Sequence, residues 1–208
     1  TCCTDMPEKK NILVTGGRGQ LGLSLRKIAA EYPQYTFLFT DLPEGDITDK
    51  TAIEQLTEEG LIDIIINCAA YTAVDRAESD EVTARKINAL GPAVLAGIAR
   101  KKGIKLVHIS TDYVFPGTGN APLKETDLPA PGSAYGRTKL EGEKAVEASG
   151  CEAAIIRTGW LYSEFGSNFV KTMLRVGKEQ GKLNVVYDQT GTPTYATDLA
   201  LSLIHISE

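Results

Sequence analysis

Long apolar runs are missing from this chain. No stretch approaches the roughly 20 residues that a membrane-spanning helix needs, and residues 1–10 are polar, so neither a helical anchor nor a secretory signal is expected. A basic excess is missing too. Lys and Arg total 22 against 27 Asp and Glu, a net charge of −5, which argues against non-specific binding to nucleic acid or to a membrane surface. Cysteine is scarce: Cys2, Cys3, Cys68 and Cys151 show no disulfide or metal spacing, and the Cys2-Cys3 pair has no partner histidine. No metal site is expected, and a cytoplasmic setting fits. Low-complexity tracts and solenoid-type repeats are absent as well. With 42% hydrophobic and 24% charged residues, the 208 that remain have the balance of a soluble globular protein, one large domain or one domain and part of another. Met6 reads as a start, with Thr1 to Asp5 a remnant, and Ile206 to Glu208 follow a helical segment with no closing strand in view.

The stretch Asn11 to Gly22, N-I-L-V-T-G-G-R-G-Q-L-G, organises the rest. Ile12, Leu13 and Val14 form a short apolar run without helical period, as a buried strand does. From Gln20 the period turns helical, with Leu21, Leu25 and Ile28 on one face and Leu23 beside it. Gly16, Gly19 and Gly22 therefore sit where a strand becomes a helix. Glycine tolerates positive φ and lets a phosphate approach the backbone, and a helix N-terminus offers free N–H groups and a positive dipole end. A Gly-rich surface turn would look similar. Asp41, 19 positions beyond Gly22 at the end of the next apolar run, favours a dinucleotide site, because such folds place a ribose-binding acid about there.

Strands and helices then alternate. Strands are expected at residues 36–41, 62–67, 104–110, 153–157 and 183–187. Helices are expected at 49–59 with Asp49 as cap, at 81–102 with a kink at Gly91-Pro92, at 134–149 and at 168–178. Polar or Pro/Gly-rich loops fill 71–80 and 112–132. Near-continuous apolar strands alternating with helices imply an α/β fold, a doubly wound parallel sheet of Rossmann type. The expected division is a nucleotide-binding domain over 11–160 and the start of a smaller substrate domain over 161–208.

In such a fold the strand ends face one crevice. The glycine loop, Ala69-Ala70-Tyr71-Thr72 and Ser110-Thr111-Asp112-Tyr113 should meet there, joined by Tyr135 and Lys139 from the next helix. Tyr135 and Lys139 are four apart and share a helix face. A lysine cation close to a phenol favours the phenolate and lowers its pKa, so Tyr135 could donate a proton to a developing alkoxide, with Thr111 bonded to the same oxygen. A lone Tyr-x-x-x-Lys can be a plain amphipathic pair; joined to the glycine loop and to Ser110-Thr111 it reads as catalytic.

The motif T-G-x-x-G-x-x-G at residues 15–22 with Tyr135-x-x-x-Lys139 resembles the extended short-chain dehydrogenase/reductases. Five further stretches, from Ala69 to Asp75 with Glu78, Ser110 to Gly117, Tyr135 to Lys139, Arg157 to Trp160 and Gly191 to Thr194, resemble the dTDP-4-dehydrorhamnose reductase family within that group. The likeness runs from about Asn11 to Leu199. It implies hydride transfer from NADPH or NADH to C4 of a 4-keto-6-deoxy dTDP-sugar, the last step of dTDP-L-rhamnose synthesis. It implies Tyr135 as proton donor and Lys139 as its activator and ribose ligand. Thr111 and Asp112 would contact the sugar and Trp160 would line its pocket, although Trp160 could equally be core. Gly19, Gln20, Leu21, Asp41, Asp46, Ile47, Ala70, Tyr71 and Thr72, with Gly16 and Gly22 of the loop, would hold the cofactor. Asn88 falls where many such reductases carry an active-site Asn, or is simply a polar helix residue.

Both cofactors should be tolerated, since Asp41 repels a 2′-phosphate and Arg18 attracts one. Family members run on past this point, so the substrate side should be incomplete and the apolar faces of Val170, Met173, Leu174, Leu199, Leu201 and Leu203 unpartnered. A homodimer is a possible assembly, and a possible Mg2+ site cannot be assigned from this chain. Two alternatives stay open: a non-catalytic NAD(P)-binding regulatory subunit, which would have no need of Tyr135, Lys139 and Thr111, and a related epimerase or dehydratase, which the lack of a Glu after Asp112 disfavours.

Overall fold

A computed structural model describes residues 9–207. Cys2, Cys3, Met6 and the Thr1–Asp5 stretch lie outside the described residues. The first apolar run forms β1 (Lys10–Thr15), and α1 (Gln20–Ile28) buries Leu21, Leu25 and Ile28. β2 (Tyr35–Phe39) stops two residues short of Asp41. α2 (Lys50–Glu59) starts at Asp49, whose carboxylate accepts from the Thr51 and Ala52 N–H groups, the side-chain cap expected of an Asp there. β3 (Ile64–Asn67) follows; Asp63 before it bonds through its backbone to Asn11 and Lys105 on either side, and its carboxylate accepts from the Asn11 N–H at 2.7 Å.

Residues 71–80 are not all loop: Val74–Ser79 form α3. The long helix after it comes in three parts, α4 (Glu81–Arg85), a π-helical turn over Lys86–Leu90, and α5 (Gly91–Lys102). Pro92 has no N–H for the carbonyl four residues back, and the Gly91 N–H reaches Lys86 O instead. The expected kink is thus a one-turn bulge. β4 (Lys105–Thr111), α6 (Ala134–Ser149) capped by Ser133, and β5 (Ala153–Thr158) complete the main sheet. The five strands are parallel in the order β2-β1-β3-β4-β5. The chain steps from β1 to β2, then crosses back to β3, and a crevice opens where that order reverses.

After β5 the structure thins. A two-residue strand β6 (Leu161–Tyr162) is followed by α7 (Phe169–Gln180) with Asn168 as cap. The expected strand at 183–187 does not form; Val185, Val186 and Tyr187 are exposed and pair with no strand among the described residues. The strand in this part is β7 (Thr194–Tyr195), parallel to β6. α8 (Ala196–Ser207) then returns to the main sheet and packs on α1.

Two apolar clusters cover the two sheet faces. Ile12, Val14, Leu21, Leu25, Ile64, Ile66 and Val107 join Leu199, Leu203 and Ile204 on the α1/α8 face, and Leu13, Ile53, Ile65, Leu95 and Leu106 form the other with α2, α5 and α6. The expectation that Leu199 and Leu203 stand unpartnered is therefore wrong, and Leu201 is partly buried on the same cluster, because α8 folds back under the sheet. On α7 the expectation holds for Val170 and Leu174, which are exposed, and α7 has no buried residue. Among the described residues no helix is long and apolar enough to cross a membrane.

Candidate active site

The crevice at the strand ends is a cavity of about 870 Å³. Its floor is the glycine loop. Gly16 takes φ +65°, a left-handed conformation that side chains disfavour. A Cβ at Gly22 would overlap the Gly16 carbonyl oxygen and come within 2.7 Å of the Gly17 Cα, so α1 can start this close to the loop only as glycine. Gly19, Gln20 and Leu21 line the cavity where the N-terminal amides of α1 lie. At the far end the Asp41 carboxylate accepts from the backbone N–H groups of Arg18 and Leu42, both at 2.9 Å. A smaller hollow of about 290 Å³ lies behind Asp41, walled by Arg18, Arg26, Phe39 and Glu44.

Asp46 and Ile47 also line the cavity. The Asp46 carboxylate accepts from the Thr48 N–H and hydroxyl at 2.9 and 2.8 Å, and the Thr48 backbone bond is the main cause holding its carboxyl below the usual range. Ile47 is buried against the start of α5, where a Cβ on Gly91 would overlap its side chain. Ala70 and Thr72 face the cavity, but Tyr71 between them does not. Tyr71 packs instead against a small cluster of Ala77, Ala84, Ala134 and Tyr135. Its backbone is clamped at both ends by Asn88, which accepts from the Tyr71 N–H at 2.8 Å and donates to the Tyr71 carbonyl at 3.1 Å and to Thr138 at 3.2 Å. Asn88 is thus a buried brace that fixes the Ala70–Thr72 loop against α6, the position the π-turn gives it.

α6 delivers Tyr135 and Lys139 to the cavity, β4 delivers Ser110 and Thr111, and the turn that follows it delivers Asp112. The Thr111 hydroxyl donates to Asp112 at 3.1 Å and lies close enough to the Tyr135 phenol to pull on its proton. The Tyr113 ring packs edge-on against Tyr135 with centroids 5.5 Å apart. Lys139 is 2% exposed and donates to the Ile109 carbonyl at 2.6 Å. Burial pushes its pKa down to about 8, against an opposing pull from Glu143.

The expected lowering of the Tyr135 pKa is not found. Burial raises it, Asp112 and Tyr113 raise it further, and only the Thr111 hydroxyl acts the other way. The physical reason is that the lysine ammonium is turned to the Ile109 carbonyl. Tyr135 is therefore a firmly protonated phenol.

Trp160 is a wall of the cavity and not core: it is 45% exposed. Its φ of +49° is a strained value for a non-glycine residue. A Cβ on Gly191 would lie 2.5 Å from its indole, so the loop before β7 rests directly on the ring.

Sequence reasoning missed the segment 166–168, which closes the cavity beside the glycine loop. Gln20 Oε1 accepts from Ser163 Oγ at 3.0 Å and from Asn168 Nδ2 at 2.9 Å, and Lys27 pairs with Glu164 at 2.6 Å. The Asn cap of α7 was the available signal. Ser110 was seen only as part of its motif; its buried hydroxyl lines the cavity without a partner. Among the described residues no cluster of His, Cys, Asp or Glu could hold a metal ion.

The loop fits a dinucleotide on its own geometry: a cradle that a Cβ would fill, amides at a helix start, an acid at the end of β2, and an unpartnered hydroxyl at the inner end. The comparisons agree. The family model described as RmlD substrate binding domain matches residues 10–208. The chain is 43% identical over 197 residues to a dTDP-4-dehydrorhamnose reductase of Aggregatibacter actinomycetemcomitans, covering 95% of this chain and 67% of that protein. It is 44% identical over 204 residues to one of Mycobacterium tuberculosis, covering 96% and 66%. A solved dTDP-4-dehydrorhamnose reductase from Bacillus anthracis in complex with NADP superposes with a TM-score of 0.91 at 42% identity, over 95% of this chain and 70% of that one. The chain spans about two thirds of the length of these curated relatives. A match over nearly its whole length, on a cavity built from the same glycine loop, Tyr135 and Lys139, carries one conclusion: the chain belongs to the dTDP-4-dehydrorhamnose reductase family.

Proposed function

We propose that this chain forms the cofactor side of an NAD(P)H-dependent reductase that converts the C4 keto group of dTDP-4-dehydrorhamnose to the hydroxyl of dTDP-L-rhamnose, in the cytoplasm. The observation that carries the reading is the convergence of Thr111, Tyr135 and Lys139 on a cavity floored by the glycine loop. A purely binding subunit has no need of that set. We read residues 11–160 together with α8 as the nucleotide-binding unit, because α8 packs on α1, and the rest of 161–208 as the start of the substrate side.

The dinucleotide supplies the hydride. The residues of this chain supply the cofactor cradle and the proton-donating wall. The α1 amides and glycine loop receive the pyrophosphate, and Asp41 keeps oxygen lone pairs for ribose hydroxyls. Tyr135, kept protonated by burial, donates its phenolic proton to the oxygen that develops charge at C4. Thr111, beside the same phenol, steadies that oxygen. Lys139, a buried cation on the same wall, rests on the Ile109 carbonyl and must turn from it to favour the negative charge left on the phenol. Trp160 and the loop resting on it shape the sugar side.

The test is an assay of the protein with NADPH and dTDP-4-dehydrorhamnose, following NADPH absorbance and the sugar product by NMR. NADPH consumed one-for-one with dTDP-rhamnose formed supports the reading. Reduction of other 4-keto sugar nucleotides but not this one would overturn the substrate, and a protein that binds both NADPH and the sugar nucleotide yet reduces nothing would favour the regulatory subunit.

A further inference from the structure

The reductase reading uses Lys139 and leaves the charges behind it without a role. Glu143 lies one turn after Lys139 on the same face of α6 and is as deeply buried. Arg157, on β5, grips it from the sheet: Nε donates to Oε1 at 3.0 Å and Oε2 at 3.2 Å, and Nη2 to Oε2 at 2.6 Å. The guanidinium is itself seated over the Phe115 ring at 4.9 Å. A buried carboxylate so held has little freedom to move.

Apart from Asp112, which is bonded to Thr111 and acts on Tyr135, the other titratable groups around the lysine supply no negative charge. Tyr135, on its own helix, is a protonated phenol. Cys68, after β3, is a thiol pushed up to about 12 by burial. His108, on β4, is neutral. The Asn67 carboxamide oxygen already accepts from Thr15 and from the Ala69 N–H, so its Nδ2 donates to His108 Nδ1. Burial and the Lys139 charge hold His108 well below its ordinary pKa. Arg157, on β5, is a second cation and reaches the lysine's surroundings through Glu143. That leaves Glu143 as the anion that offsets the burial of Lys139.

We propose that Glu143, gripped by Arg157, is a positioning residue for the Lys139 ammonium: it keeps the buried lysine charged at neutral pH, ready for the phenol. The role of Lys139 in catalysis rests on the reductase reading; the charge coupling does not, and the test separates them.

The protein is labelled with 13Cε-lysine and titrated by NMR, with the Lys139 signal identified by its loss in Lys139→Met. In the wild type its midpoint lies near 8. In Glu143→Gln it falls by at least about one pH unit, the usual scale for losing a close opposite charge. If the stranded arginine prevents that variant from folding, the double variant Glu143→Gln/Arg157→Gln, with no unpaired buried charge, carries the test and also shows a lower midpoint. In turnover, the alkaline limb of the pH profile moves down by the same amount. A midpoint unchanged in the variant that folds would overturn the proposal and leave Glu143–Arg157 a tie between α6 and β5. A midpoint that moves while the turnover profile does not would spare the coupling and count against the catalytic reading of Lys139.

Discussion

The two walls of the cavity are made differently. On the cofactor wall the side chains come from strands and helices with buried faces: β1, β3 and β4 end together, and α1 and α6 are pinned by Leu25 and Val146 in opposite clusters. On the other wall, residues 160–195 supply two two-residue strands, an α7 with no buried residue, and an exposed run from Gly181 to Gly191. The first wall is set by core packing, which is costly to distort by even a few methylenes' worth of volume. The second is held to the first by Leu161 on the edge of the α1/α8 cluster and by a few polar contacts, Thr158 to Thr194, Gln20 to Ser163 and Asn168, and Lys27 to Glu164, of which the exposed ion pair contributes little. Chemistry that must be placed to a fraction of an ångström sits on the packed wall.

If that contrast is right, the largest effect comes from the packed wall's reacting group. Tyr135→Phe keeps the ring and its contact with Tyr113 but removes the proton. Turnover should fall at least about 100-fold, the range for losing a general acid, with the NADPH dissociation constant little changed. Near-normal turnover would remove Tyr135 from the mechanism.

A pair of glycine variants sharpens the comparison. Gly22→Ala must displace backbone, the Gly16 carbonyl and the Gly17 Cα. It should weaken NADPH binding at least about tenfold and destabilise the fold by about 1–3 kcal/mol, as overpacking does. Gly191→Ala meets only the indole of a half-exposed Trp160. It should leave thermal stability and NADPH binding nearly unchanged and act on the substrate KM alone. Equal loss of stability in the two would show that the second wall is as firmly packed as the first.

Much of the packed wall was legible in the sequence because local signals and burial agree there. The β1–glycine–α1 turn, the Asp49 cap and the whole of α6 stand where apolar period and capping residues place them. The rest was set by contacts that no local pattern carries. Tyr71 looks like a cavity residue by position, yet Asn88, 17 residues away, holds its backbone and turns the ring to Ala77 and Ala84. Lys139 stands four residues from Tyr135 as the motif requires, but the Ile109 carbonyl takes its ammonium, so proximity did not translate into a lowered phenol pKa. Leu183 to Tyr187 has the composition of a strand yet pairs with no strand among the described residues.

Titration gives a further check on the packed wall. Lys139 is depressed to about 8 while burial raises Tyr135, so the cation is present below about 8 and lost above it. Turnover should therefore decline as pH rises through about 8, and a decline beginning only near 10 would mean that the lysine is less buried in solution. In stability the same group acts with the opposite sense. The unfolded chain keeps the lysine proton up to about 10.5, so between about 8 and 10.5 the unfolded state binds more protons and this group makes stability rise with pH.

The smallest expected effect lies behind Asp41. Its carboxylate disfavours a 2′-phosphate, and Arg18 and Arg26 border the hollow beside it. At an effective dielectric of 20 a unit charge pair at 4 Å is worth about 4 kcal/mol, and the opposing contributions are of similar size, so the preference between NADPH and NADH should stay below about 100-fold. Arg18→Ala should move the ratio of dissociation constants toward NADH by several-fold; no movement would mean that Arg18 faces solvent.

The central claim is that the cofactor wall is complete in this chain: the glycine loop, Asp41, the Ala70–Thr72 loop, Tyr135 and Lys139 all precede residue 150, and α8 closes the core beneath them. The direct test is to titrate the purified 208-residue chain with NADPH by fluorescence, with Gly22→Ala as the control. Saturable one-to-one binding by the chain, weakened at least about tenfold in the control, is the predicted result. A folded chain that shows no saturable NADPH binding would contradict it.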